Sequence, residues 1–77
     1  MKDLLEFLAR EIVDEPDAVE VTESHDDRGT LLSLHVAPDD MGKVIGRGGR
    51  TARAIRTVMK AAAVREGIQH THVEIVD

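Results

Sequence analysis

Residues 41–56, MGKVIGRGGRTARAIR, hold five Lys or Arg, no acid, and three closely spaced glycines at Gly46, Gly48 and Gly49. Glycine has no Cβ, so a ligand can approach its main chain closely, and it adopts positive φ without strain. A tight turn between two helices needs one or two glycines. This loop has three, with Arg47 inside it and Lys43, Arg50 and Arg53 flanking it. The combination suits a phosphodiester backbone. N–H groups at the start of the following helix, aided by the helix dipole, attract phosphate. Lys43, Arg47, Arg50 and Arg53 add long-range attraction and release counterions when phosphates bind. Val44 and Ile45 anchor the preceding helix, so the loop is presented from a rigid base.

Two mononucleotide and dinucleotide patterns fit this stretch poorly. A P-loop requires G-x-x-x-x-G-K-[ST] after a strand, and the spacing of Gly42 and Gly46 does not supply it. The G-x-G-x-x-G fingerprint requires a parallel βαβ unit, whereas Gly46-Arg47-Gly48-Gly49 lies between two expected helices.

The loop stands out against an acidic chain. The formal net charge of the 77 residues is −5, yet it is unevenly distributed. Residues 1–40 contain three basic and twelve acidic residues; residues 41–67 contain seven basic and one acidic. A polyanion responds to the local potential of the face it meets, so this asymmetry says more than the total.

The flanking sequence predicts the elements that position the loop. Leu4, Leu5, Leu8, Ala9 and Ile12 recur at helical spacing, and Pro16 stops that helix near Asp14. Val19 and Val21 alternate with Glu20 and Thr22 as in a half-buried strand. The segment HDDRG has turn composition, and Leu32, Leu34 and Val36 alternate with Ser33, His35 and Ala37 in a second strand, predicting a hairpin. Pro38 ends that strand, and Asp39 or Asp40 is placed to cap a short helix over Met41 to Ile45.

A longer helix is predicted from about Arg50 to Glu66, stopped by Gly67. One side of it gathers Ile55, Val58, Met59 and Ala62; Arg50, Arg53, Arg56 and Lys60 lie roughly opposite. Thr71, Val73 and Ile75 then share one face of a last strand. The order α-β-β-α-α-β predicts one α+β domain over residues 1–77, a three-stranded sheet with its helices packed on one face.

Val44-Ile45-Gly46-Arg47-Gly48-Gly49, followed by Ile55 at helical spacing, resembles the V-I-G-x-x-G core of KH domains, whose G-x-x-G loop clamps about four single-stranded nucleotides by their backbone. The element order resembles the type II, bacterial arrangement. VDEPDAVEVTE, DDMGKVIGRGGRTARAIRTV and the following AAA extend the likeness over nearly the whole chain to the small stand-alone KH proteins of bacteria, the KhpA group. Ala52 stands where many KH domains carry a larger aliphatic residue and is similar to this subgroup. The resemblance implies single-stranded RNA binding, an RNA-chaperone or post-transcriptional regulatory role, and a homodimer or a heterodimer with a larger KH-containing protein. By position it implies that Gly46, Arg47, Gly48 and Gly49 form the clamp and that Val44, Ile45 and Ile55 support or line the groove wall; with the flanking cations, the expected RNA-binding set is Lys43, Val44, Ile45, Gly46, Arg47, Gly48, Gly49, Arg50 and Arg53.

The remaining residues narrow the field. His70 and His72 are expected on one strand face with His35 nearby, but without Cys or an acid in a coordinating pattern they read as surface histidines rather than a metal site. No carboxylate pairs with a nucleophile or His in a catalytic pattern, so neither enzyme activity, a cofactor nor a small-molecule substrate is expected. Phe7, the one aromatic, is expected at the rim of the core, with a dimer contact as the alternative. One Phe cannot make a base-stacking platform, so bases must rest on an aliphatic groove and main-chain hydrogen bonds. Met1 leads directly into an amphipathic, acid-containing segment unlike a signal peptide, no apolar run approaches a membrane span, and cysteine is absent; a soluble cytoplasmic protein is expected.

Overall fold

The computed structural model describes residues 1–68 and 70–76. Its elements are α1 (Lys2–Ile12), β1 (Glu20–Asp26), β2 (Gly29–His35), α2 (Met41–Ile45), α3 (Arg50–Arg65) and β3 (Thr71–Val76), joined in part by single 3-10 turns at Pro16–Ala18, Pro38–Asp40 and Arg47–Gly49. The sheet order is β1-β2-β3, antiparallel between β1 and β2 and parallel between β2 and β3. This is the α+β layer expected from the sequence, with a mixed three-stranded sheet.

In α1, Leu5 and Ala9 are fully buried, and Leu4, Leu8 and Ile12 pack against the core at its margin. Phe7 departs from expectation. It is 59% exposed, because at 100° per residue it points away from the Leu5–Ala9 stripe. It is therefore not a rim residue of the core.

The hairpin turn is tighter than its composition suggests. His25 and Asp26 belong to β1 and Gly29 to β2, leaving Asp27 and Arg28 as the connection. The Asp26 carboxylate accepts the Arg28 N–H at 2.7 Å, closing the turn locally. In β2 the alternation is complete: Thr30, Leu32 and Leu34 are buried.

Helix α3 presents Ala52, Ile55, Met59 and Ala63 to the core. Val58 is 43% exposed and Ala62 only partly covered, so the buried stripe is rotated from the expected Ile55-Val58-Met59-Ala62 set. Small side chains at Ala52 and Ala63 let the helix lie close against its neighbours. Its end matches expectation: Ile68 N–H donates to Ala63 O at 2.9 Å and Gly67 N–H to Val64 O at 3.1 Å, a Schellman closure around Gly67 with φ +76°. No described helix is long and apolar enough to cross a membrane.

Candidate nucleic-acid interface

The glycine loop joins α2 to α3. Helix α2 ends as Gly46 N–H donates to Gly42 O at 2.9 Å, and the chain then reverses through Gly46 (φ +77°, ψ 170°), Gly48 (φ +64°) and Gly49 (φ +78°). Gly46 and Gly48 serve different purposes. A Cβ on Gly46 would stand 2.3 Å from Thr51 Oγ1 and 2.8 Å from Thr51 N, so the loop can fold onto the first turn of α3 only with glycine there. Around Gly48 there is no atom within 4 Å of a Cβ position. Its backbone faces open space.

Among the described residues no side chain caps the start of α3. Its first amide, Arg50 N–H, donates to Arg47 O, and the amides that follow in the first turn have no intrahelical acceptor. Arg47, Arg50 and Arg53 are exposed around it, and among the described residues none of the three forms a salt bridge. Arg53 reaches back to donate to Gly48 O at 3.2 Å, bracing the loop from the helix side.

The other predicted residues fall into distinct positions. Val44 is fully buried and Ile55 is 4% exposed, so both support the loop from the core and neither lines a surface. Ile45 is 39% exposed beside the loop and is the apolar side chain available there. Ala52 is buried in the core. Lys43 is not a free cation: its ammonium forms an ion pair with the Asp14 carboxylate. The hydrogen bond that Lys43 donates to Asp14 raises the lysine pKa above its ordinary value, opposed by partial desolvation and reinforced by the charges of Asp14 and Asp40.

Sequence reasoning missed the role of Asp40. It occupies the position preceding α2, as expected for a cap, yet its side chain caps nothing in that helix. Its carboxylate is buried and accepts the Asp14 N–H at 3.2 Å and the Glu15 N–H at 3.1 Å. The start of α2 is thereby tied to the chain leaving α1. The only sequence signal was an acid at a cap position; its partners are 25 and 26 residues away.

A groove lies between α3 and β3, the latter an edge strand. An inner cavity of about 140 Å³ is lined by Arg56, Met59, Lys60, Thr71, His72 and Val73. Arg56 Nε donates to Val73 O at 3.3 Å, linking the helix to the strand's backbone. An outer cavity of about 330 Å³ follows, sharing Lys60, Thr71 and His72 with the inner one. These two cations were recognised in the sequence as part of a basic helix face, but not as the wall of a groove. Their position became visible only once β3 was placed alongside α3.

The histidines do not gather as expected. His70 precedes β3, His72 is paired with Leu31, and His35 is paired with Val76 at the other end of the strand. Four register positions separate His35 from His72, roughly 13 Å along the sheet. Among the described residues no cluster could hold a metal ion.

Comparison with known proteins agrees with this geometry. The family model described as KhpA/KhpB, KH domain, matches residues 2–75. The RNA-binding protein KhpA of Clostridium acetobutylicum is 55% identical over 76 residues, covering 99% of this chain and 100% of that protein. Its namesake in Caldanaerobacter subterraneus subsp. tengcongensis is 54% identical over 66 residues, 86% of this chain and 88% of that protein. The one in Streptomyces coelicolor is 49% identical over 77 residues, 100% of this chain and 92% of that protein. With its glycine loop, mixed sheet and end-to-end likeness to these relatives, the chain belongs to the KhpA/KhpB family of KH domains.

Proposed function

We propose that this protein binds single-stranded RNA by its backbone at Gly46–Gly49 and acts, without catalysis, as an RNA chaperone or post-transcriptional regulator. The observation that carries this reading is the conjunction at Gly48. Its backbone is open on the outside, the uncapped start of α3 follows immediately, and Arg47, Arg50 and Arg53 surround it with no carboxylate partners among the described residues. A sugar-phosphate backbone needs close main-chain approach, donors and cations together, and this is where the molecule combines them. The names of the relatives, RNA-binding protein, agree with it.

Bases of the bound strand then point along the α3–β3 groove, where Met59 and Val73 give apolar contact and the free edge of β3 offers main-chain groups. With no aromatic platform, affinity is modest and sequence preference loose. In this reading the protein works as a homodimer or with a larger KH-containing partner, and exposed Phe7 is a contact residue for that association. Direct titration of a labelled single-stranded RNA at low and moderate salt tests the binding. Saturable binding that weakens steeply with salt supports it; no binding at low salt, with self-association intact, makes the protein an assembly subunit instead. Competition with a matched DNA strand reports whether the 2′-OH is read.

A further inference from the structure

Helix α3 carries two basic faces. Arg56 turns toward β3, where its Nε donates to Val73 O. Arg50, Arg53, Thr57 and Lys60 form the other: at helical spacing they fall within about 80° of one another around the axis. This stripe is centred roughly 135° from the buried Ala52, Ile55, Met59 and Ala63, so it looks outward, away from the sheet. All four of its residues are exposed. It begins beside the glycine loop, runs about 15 Å along the helix, and ends at Lys60 on the rim of the groove.

Nothing on the helix neutralises the stripe. Residues 41–65 contain no Asp or Glu, so none of its cations has an acid one turn away. Among the described residues Arg50, Arg53 and Lys60 form no salt bridge. Like charges at one-turn spacing oppose each other, and an external polyanion relieves that repulsion. Twelve of the fifteen acids lie in residues 1–40, which makes the first half of the chain unfavourable to such a ligand. A strand gripped at Gly46–Gly49 with its bases along the groove lies on the sheet side of α3. A backbone on the outer stripe is then a second one, held about 10–12 Å from the first across the helix, with the α3 cations between the two offsetting their repulsion.

We infer that the outer face of α3 receives the phosphodiester backbone of a second RNA strand and so promotes annealing to the strand held at the glycine loop. This rests on the reading of the loop as an RNA clamp. Two strands on one small domain have an effective concentration on the order of millimolar, far above that of dilute free strands. The loose hold on bases expected without aromatic stacking lets them leave the groove for a partner.

The test mixes complementary RNA strands carrying donor and acceptor dyes with wild type, Thr57→Glu or Thr57→Lys. Thr57 is exposed, and its hydroxyl donates to Arg53 O within the same helix at 3.0 Å. Both variants therefore keep the fold, which circular dichroism verifies. Glutamate here stands one turn from Arg53 and from Lys60 and pairs with them, whereas lysine adds a cation. Wild type is expected to speed annealing at least roughly tenfold over protein-free strands. Thr57→Glu loses most of that gain and Thr57→Lys increases it. The affinity of both for one non-complementary strand stays within about threefold of wild type, since the clamp is untouched.

A wild type that binds a single strand without speeding annealing overturns the second-strand site but leaves the clamp standing. An acceleration that neither substitution moves also overturns it. Parallel changes in annealing and single-strand affinity place the stripe under the first strand, and a loss that tracks weakened self-association in sedimentation makes it a protein surface; either result overturns it too. If no single strand binds wild type, the clamp and the second-strand site fall together.

Discussion

Gly46 and Thr51 are packed so closely that a single methyl group on Gly46 would lie 2.3 Å from the threonine hydroxyl. This contact fixes the angle at which the glycine loop leaves α2 and enters α3. Gly46→Ala therefore combines a steric clash with a backbone conformation that is essentially restricted to glycine, and a loss of about 3 kcal/mol in urea unfolding is expected. Gly48→Ala meets no neighbour and costs only about 1 kcal/mol, the left-handed penalty alone. Equal losses at the two positions would contradict this division of roles.

Asp40 holds the loop's base from the other side. Asp40→Ala removes the acceptor for both the Asp14 and Glu15 amides and is expected to cost about 2–3 kcal/mol in the same measurement, as hydrogen bonds to a buried carboxylate are lost. Asp40→Asn keeps one acceptor and turns an NH₂ group toward a second donor, so it recovers at most part of the loss. Full stability in the alanine variant would show that α2 is positioned by packing alone.

Lys43 is withheld from the loop's free charge by Asp14. Because this ion pair raises the lysine pKa, its contribution is fully present below the unfolded value and is lost only as pH rises above 10.5. The Lys43 shift therefore adds no pH dependence to stability near neutral pH, where its contribution is fully present. Asp14→Asn lowers the Lys43 pKa, readable by NMR titration of the side-chain nitrogen. It also frees one cation, steepening the slope of log affinity for RNA against log salt by about 0.7. An unchanged slope would mean that Lys43 never meets a phosphate.

Phe7 tests the association side of the proposal. With the ring 59% exposed, Phe7→Ala changes the thermal stability of the isolated protomer by less than about 0.5 kcal/mol. Weakening of self-association or of partner binding by tenfold or more in sedimentation velocity is expected, since exposed aromatics at interfaces are common hot spots. Unaltered association would remove Phe7 from the interface.

Local chemistry was the legible part of this chain. Proline placed the ends of α1 and β2, the glycine loop marked the end of α2, and Gly67 marked the end of α3. Spacing identified the glycines, and the structure gives each a separate conformational reason. Long-range relationships were not legible. Nothing local tells that Asp40 answers amides at the end of α1, that Asp14 takes Lys43, or that Arg56 and Lys60 face an edge strand. The rotation of α3 that buries Ala63 and exposes Val58 was hidden for the same reason: a helix wheel gives a stripe, whereas the neighbours decide which edge of it is covered. Phe7, expected at the rim of the core, lies beyond it, because its angular position on α1 is opposite the Leu5–Ala9 stripe.

The central claim is that the loop grips a strand's backbone, and the double variant Arg47→Asp, Gly48→Asp tests it most directly. The open space around Gly48 and the tolerance of Asp for left-handed backbone let this protein fold, as circular dichroism and thermal unfolding will confirm. Titrated with a labelled single-stranded RNA at fixed low salt, the variant should bind at least tenfold more weakly than wild type, because two acidic groups replace a cation and an open backbone. An intact fold with undiminished affinity would contradict the account.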